Sequence, residues 1–283
     1  MTIAAAWVRK VHNCEELIFI SDSRLCGGHR WDECPKMTVL PGDNSALAFA
    51  GDTDYAYPMM MQIRQAMSGY RRIETRAMDV VDINGHLMKH ANHLMKSVYD
   101  QADPDYLPDN EFLFGGYSWI EKKFKIWRYY YKKHEREFAK DGQEHRILSY
   151  INGNIAIIGD QKENYKQELK NLLFLKYGKD ANANLNVYLD MEPFEALCKL
   201  LKTTTKRETI GGAPQMIKVY QYMSSCPVGV YWPIKNDTFS NRTLLGRKLF
   251  DYEDTDFWFI DPETLVSNPC FKVIETPHVP EMM

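Results

Sequence analysis

The chain has 283 residues, with 35 lysines and arginines against 38 aspartates and glutamates, and 45% of its residues are hydrophobic. That apolar content supports a substantial core in one large domain or two. A formal net charge of -3, with no basic stripe beyond Lys132-Lys133, excludes a general nucleic-acid binder, and no run approaches the ~18 apolar residues that mark a membrane-spanning helix.

Residues 2–9 and 17–21 are short apolar runs, and the polar His12-Asn13-Cys14-Glu15-Glu16 between them predicts a hairpin with a long loop. Two more strands are expected at 37–40 and 46–50, across the turn-rich Pro41-Gly42-Asp43-Asn44. The period then changes. Tyr55, Met59, Ile63 and Met67 recur at helical spacing within 54–67, and Val80, Ile83, Leu87, Ala91, Leu94 and Val98 do so within 77–99. On this second helix His86, His90 and His93 share one face at a spacing zinc ligands can use. No carboxylate or cysteine ligand adjoins them, so a polar face at a subunit contact explains them as well, and no metal site is assigned.

The stretch 102–110 reads as a loop, because Pro104 and Pro108 block a helix and its aspartates favour turns. Strands return at 112–117 and 124–131. The second carries Phe124, Trp127, Tyr129, Tyr130 and Tyr131, a stripe read as sheet packing rather than a platform for stacked bases. Helices are expected at 164–176 and at 192–205, with Pro193 in the first turn of the latter. A Gly211-Gly212 turn leads into a strand at 216–222. This order predicts the α+β class: a four-layer αββα sandwich of two stacked antiparallel sheets with helix pairs on the outer faces. The domain is assigned to 1–223. Residues 224–283 form a C-terminal extension packed on it, too apolar for a linker and loose from Thr276 onward.

Six cysteines without a C-x-x-C pair read as reduced thiols of a cytoplasmic protein. The start lacks a charged segment followed by a long apolar one, which reads as unexported. No phosphate-binding glycine loop occurs, so no cofactor is expected and nucleotide hydrolysis is not assigned to this chain.

The chemistry concentrates in the first 55 residues. Removal of Met1 would leave Thr2 at the chain start, where the α-amino group can take the proton of the same residue's hydroxyl. An unperturbed α-amino group titrates near ~8, and a neighbouring ammonium pushes it toward neutrality. Lys36 is the candidate for that ammonium and Asp22 for the carboxylate that holds it. The Gly51 amide is the candidate donor to a developing oxyanion.

These residues carry a resemblance. Thr2, then Asp22 and Arg24 in Ser-Asp-Ser-Arg, Lys36, and Ala50-Gly51 stand in the order found in proteasome β-type subunits and HslV-type peptidases of the N-terminal nucleophile hydrolase superfamily. The stretches 112–117, 155–160 and 209–215 resemble later parts of that family, so the likeness covers roughly 2–223. It implies a threonine hydrolase that cleaves peptide or other amide bonds through an acyl-enzyme on Thr2, with Arg24 in substrate binding. It further implies a homo-oligomeric ring, a peptide or protein substrate, and delivery by a separate ATP-dependent unfoldase. The chain departs from the family at two places. Asp160-Gln161 stands where a Gly-Ser-Gly serine is usual, and Arg207 where an aspartate precedes the glycine turn, so two supports of the amine are replaced. Two other readings stay open: a catalytically inactive subunit with an assembly or partner-binding role that retains Met1, and a zinc protein using the helix histidines.

Overall fold

The first hairpin shows how the strands are built. β1 (Ile3–Val11) pairs antiparallel with β2 (Cys14–Ser21) in a register that sets Arg9 against Glu16, Lys10 against Glu15 and Val11 against Cys14. The loop is therefore tighter than expected. His12-Asn13 alone makes the turn, with His12 at φ 53°, because Glu15 and Glu16 continue the strand opposite two cations. The computed structural model describes residues 2–27, 29–99, 108–142, 147–148, 151–178, 187–233 and 241–269. The expected fate of Met1, most of the 102–110 loop and the loosening beyond Thr276 lie outside the described residues.

Short strands β3 (Leu25–Cys26) and β4 (Arg30–Trp31) follow, then β5 (Met37–Val39) and β6 (Ser45–Ala50). Helix α1 (Thr53–Ser68) starts where the Asp52 side chain accepts from the Asp54 amide, and α3 (Val80–Met95) where Asp79 accepts from Val81, each carboxylate satisfying an orphan donor of the first turn. Between them lies a single unexpected turn, α2 (Arg71–Glu74). Next come β7 (Glu111–Ser118), β8 (Lys123–Lys132), β9 (Glu137–Asp141), β10 (Ile151–Asn152), β11 (Ile155–Gly159), α4 (Lys162–Tyr177), β12 (Val187–Tyr188) and α5 (Glu192–Thr203). The described chain closes with β13 (Gln215–Tyr220), β14 (Ser224–Tyr231), β15 (Arg242–Leu244), β16 (Arg247–Lys248), β17 (Trp258–Ile260) and β18 (Ser267–Pro269).

Among the described residues one sheet has nine strands, in the order β11-β1-β2-β13-β14-β15-β16 with β17 on β14 and β18 on β17; a second has five, β5-β6-β7-β8-β9, and β3-β4 and β10-β12 are two-stranded. Alternation decides what each strand buries. Ala4, Ala6, Leu17 and Phe19 meet Ala46, Ala48 and Leu113 of the second sheet, while Ala5, Trp7, Ile18 and Ile20 pack with Tyr165 and Leu169 of α4 and Phe194 of α5. The aromatic stripe of β8 packs inward: Trp127 stacks on Phe114 at 5.5 Å, and the buried Tyr129 hydroxyl donates to Asn84 Oδ1 at 2.6 Å.

The expected α+β four-layer αββα sandwich is corrected. Strands dominate the molecule, in large antiparallel sheets, against five helices among the described residues, one of them a four-residue turn. The physical cause lies mainly after residue 223. There β14 pairs with β13 and, at Val230, with β15 on one side and β17 on the other, so the first sheet gains the five strands β14 to β18 beyond the expected domain. Among the described residues no helix is long and apolar enough to cross a membrane.

Candidate functional site

The register that opposes Ala4 to Ser21 and Ile3 to Gly159 brings three chain positions together: the residue before β1, the residue after β2 and the residue after β11. Thr2 is buried there. Asp22 is fixed by its surroundings, since its Oδ1 accepts from the Ile3 amide at 3.2 Å and its Oδ2 from the amides of Arg24 at 3.2 Å and Gly211 at 3.0 Å. Lys36 Nζ supplies a fourth donor, 2.8 Å from Asp22 Oδ1, and also donates to Thr2 Oγ1 at 2.7 Å. Neither the Asp22 nor the Lys36 side chain exposes any surface. A buried ion pair is tolerated when its polar positions are matched, and here the carboxylate accepts from four donors while the ammonium donates to two oxygens.

Lys36 is also anchored through its backbone: its amide donates to Gln215 Oε1 at 3.0 Å and its carbonyl accepts from Phe49 at 3.1 Å. Burial pushes the ammonium below the ordinary lysine range, against the opposing pull of the Asp22 charge. A cation held against a hydroxyl oxygen in a dry site stabilises negative charge that develops on that oxygen.

The nitrogen of Thr2 meets the residue that stands in place of the serine usual in the resembled family. It donates to Asp160 Oδ1 at 2.7 Å, and Thr209 Oγ1 donates to Asp160 Oδ2 at 3.0 Å. Gly159, just before, has φ +108°, and a Cβ there would lie 1.9 Å from the Thr2 carbonyl oxygen, so only glycine lets the two strand ends approach. The available signal was a carboxylate ending an apolar strand. The β1–β11 register that aims it at Thr2 is not written locally.

Gly51 and Asp160 both line a cavity of about 660 Å³. Gly51 has φ +111°, and a Cβ on it would strike the Asp109 carbonyl oxygen at 1.9 Å. Among the described residues the cavity's charged lining is five carboxylates, Asp109 and Asp160 among them, against Arg128 and Lys162. One of the five, Glu111, is paired with Arg128 at 2.7 Å and accepts from the Gly159 amide at 2.9 Å.

Of the residues singled out in the sequence, Thr2, Asp22 and Lys36 are brought into direct contact, while Gly51 lies on the cavity. Arg24 is placed elsewhere. Its Nη1 donates to the carbonyls of Thr205, Glu208 and Ile210, and its Nε and Nη2 grip the Asp32 carboxylate at 2.5 and 2.9 Å. The guanidinium thus clamps the 205–210 loop. On α3, His86 and His90 approach to 3.0 Å between their Nε2 atoms, and burial pushes His86 down. Among the described residues no group of three or more His, Cys, Asp or Glu is placed to hold a metal ion.

No protein-family model matches the chain, and no curated protein matches it. Solved structures do. Anbu (ancestral beta-subunit) from Yersinia bercovieri is similar with a TM-score of 0.53 at 13% identity, over 80% of this chain and 86% of that one. Anbu from Hyphomicrobium sp. strain MC1 is similar with a TM-score of 0.50 at 14% identity, over the same shares. The resemblance to proteasome β-type and HslV-type subunits of the N-terminal nucleophile hydrolase superfamily is corrected by these neighbours, which are proteasome-like but distinct from the classical β-subunit. Short ordered motifs fix a local constellation, not the course of the sheets around it. At 13–14% identity the likeness is one of fold alone: the chain is similar, at a distance, to the ancestral beta-subunit structures.

Proposed function

We propose that the chain is an amide hydrolase whose nucleophile is the Thr2 hydroxyl, acting once Met1 has been removed. The observation that carries this reading is the buried contact of Lys36 Nζ with Thr2 Oγ1 at 2.7 Å and Asp22 Oδ1 at 2.8 Å. An ammonium desolvated on a hydroxyl is costly unless it has a use or a full set of partners, and here it favours the alkoxide form of that hydroxyl.

In the reaction Thr2 Oγ forms a bond to the amide carbonyl carbon while its proton passes to the Thr2 α-amine. The amine then returns that proton to the departing nitrogen, the C–N bond breaks, and an ester remains on Thr2. Water, deprotonated by the same amine, attacks the ester; the C–Oγ bond breaks, the amine returns that proton to Oγ, and the acid product leaves. The Gly51 amide is the assigned donor to the oxyanion of both addition steps. The neighbouring cavity of about 660 Å³ has room for several residues of a peptide or protein substrate. A homo-oligomeric ring, delivery by a separate ATP-dependent unfoldase and a cytoplasmic setting belong to the same proposal.

A threonine-directed electrophile tests it. The full chain is treated, and adduct is sought by peptide mass on Thr2. Adduct formation that is lost in Thr2→Ala and falls at least about tenfold in Lys36→Ala, the loss of one charge-stabilising group, supports the reading. A chain that has lost Met1 yet forms no adduct overturns it. Retention of Met1 in the intact mass favours instead a non-catalytic role in assembly or partner binding.

A further inference from the structure

While Thr2 is joined to Met1 its nitrogen is a neutral peptide N–H; freed, it becomes an ionisable amine. The group facing that nitrogen at 2.7 Å is the Asp160 carboxylate. Asp160 is itself held in place. Thr209 Oγ1 donates to its Oδ2 at 3.0 Å, and Gln161 Nε2 reaches Thr209 Oγ1 at 3.3 Å. The preceding residue is pinned as well, because Glu111 Oε2 accepts the Gly159 amide at 2.9 Å.

The other charges around Thr2 come from several elements. Lys36, ahead of β5, addresses the hydroxyl and is already paired with Asp22, at the end of β2, at 2.8 Å. Glu111 of β7 and Arg128 of β8 are paired with each other at 2.7 Å. Cys26, Asp52, Asp54, Asp109 and Lys162 line the adjoining cavity. A charge in contact outweighs charges that are paired or separated by solvent, so the carboxylate on the nitrogen side prevails over the ammonium on the oxygen side.

We propose that Asp160 is a positioning residue that grips the freed Thr2 amine and keeps its proton on it at rest, so that the base becomes available only as pH rises. This rests on, and deepens, the reading of Thr2 as the nucleophile. It also reverses the value of a position at which the sequence shows only a missing serine.

The test reads the amine directly. The full chain is made with a cleavable leader so that Thr2 is the first residue, and its α-amine is labelled with trace acetic anhydride across a pH series and quantified by peptide mass. In Asp160→Asn the labelling midpoint is expected to fall by about one pH unit, the low end for removal of a contacting opposite charge. Asp160→Glu, which keeps the charge, stays closer to the parent chain. Thr209→Val, which only loosens Asp160, gives a smaller shift in the same direction. Midpoints that coincide in the parent chain, Asp160→Asn and Thr209→Val overturn the proposal. Adduct formation followed over the same pH series separates the two ideas. Shifted midpoints without adduct sink the nucleophile and leave the Asp160 grip standing, whereas adduct with unmoved midpoints sinks the grip alone.

Discussion

Lys36 Nζ stands 2.8 Å from Asp22 Oδ1 with both side chains fully withdrawn from solvent. Such a pair contributes little net stability as a pair, but removing one member strands the other charge. Lys36→Met is therefore expected to destabilise the fold by about 3–5 kcal/mol. In a double-mutant cycle, Asp22→Asn with Lys36→Met should cost less than the two single changes added together, by about 2 kcal/mol. Urea denaturation of the four proteins measures this, and strict additivity would show that the two charges do not compensate one another.

Arg24 makes a second buried commitment, this time to a loop. Its guanidinium donates to three loop carbonyls with Nη1 and to both oxygens of Asp32 with Nε and Nη2. A lysine cannot reproduce that planar fork. Arg24→Lys should cost about 2–3 kcal/mol, the scale of losing charge-assisted hydrogen bonds. The Gly211 amide, which donates to Asp22, should lose protection in hydrogen exchange. Unchanged exchange at Gly211 would mean the loop is held without the arginine.

The two residues differ in how much of their surroundings the sequence discloses. Thr2, Asp22 and Lys36 each stand beside an apolar run whose type shows in its own pattern, while their meeting is suggested by the chemistry the three residue types share and by the resemblance. Arg24 stands in the same motif, yet the carbonyls it binds lie more than 180 residues away in the chain, and its apparent role in the sequence is different. Most strands and helices lie close to where periodicity sets them. Two misses have local causes: β9 reads as charged because Glu137, Lys140 and Asp141 flank Phe138, and the first turn looked long because Glu15 and Glu16 are polar but paired. The extent of the first sheet is not legible at all. That β14 joins both β15 and β17 is a matter of pairing between distant segments, which no local pattern encodes.

Gly159 offers a sharp test of how the start of β1 is seated. Alanine there would have to accept φ +108° and place its Cβ 1.9 Å from the Thr2 carbonyl oxygen, both against backbone that cannot yield cheaply. Gly159→Ala should destabilise by about 3 kcal/mol, combining left-handed strain with overpacking, and should abolish adduct formation on Thr2. An alanine variant with full stability and full reactivity would show that the end of β11 moves freely relative to Thr2.

The acid limb of stability should carry the signature of Asp32. Its hydrogen bonds from Arg24, and then the nearby positive charge, hold its carboxyl below the usual carboxylate range despite partial burial. When the folded pKa is the lower one, the unfolded chain binds more protons between the two values. The stabilisation is thus fully present above the unfolded value near ~4 and is lost as pH falls through the folded one. Because the Asp32 side chain is 47% exposed, solvent screening limits the contribution to about 1 kcal/mol. Asp32→Asn should therefore be less stable than the parent chain by about that amount at pH 7, and the gap should close as the pH is taken below ~4. Urea midpoints measured from pH 7 down to pH 3 follow the gap directly. A difference that persists undiminished, or widens, on the acid side would place the Arg24 clamp's stability in its carbonyl contacts rather than in the Asp32 charge.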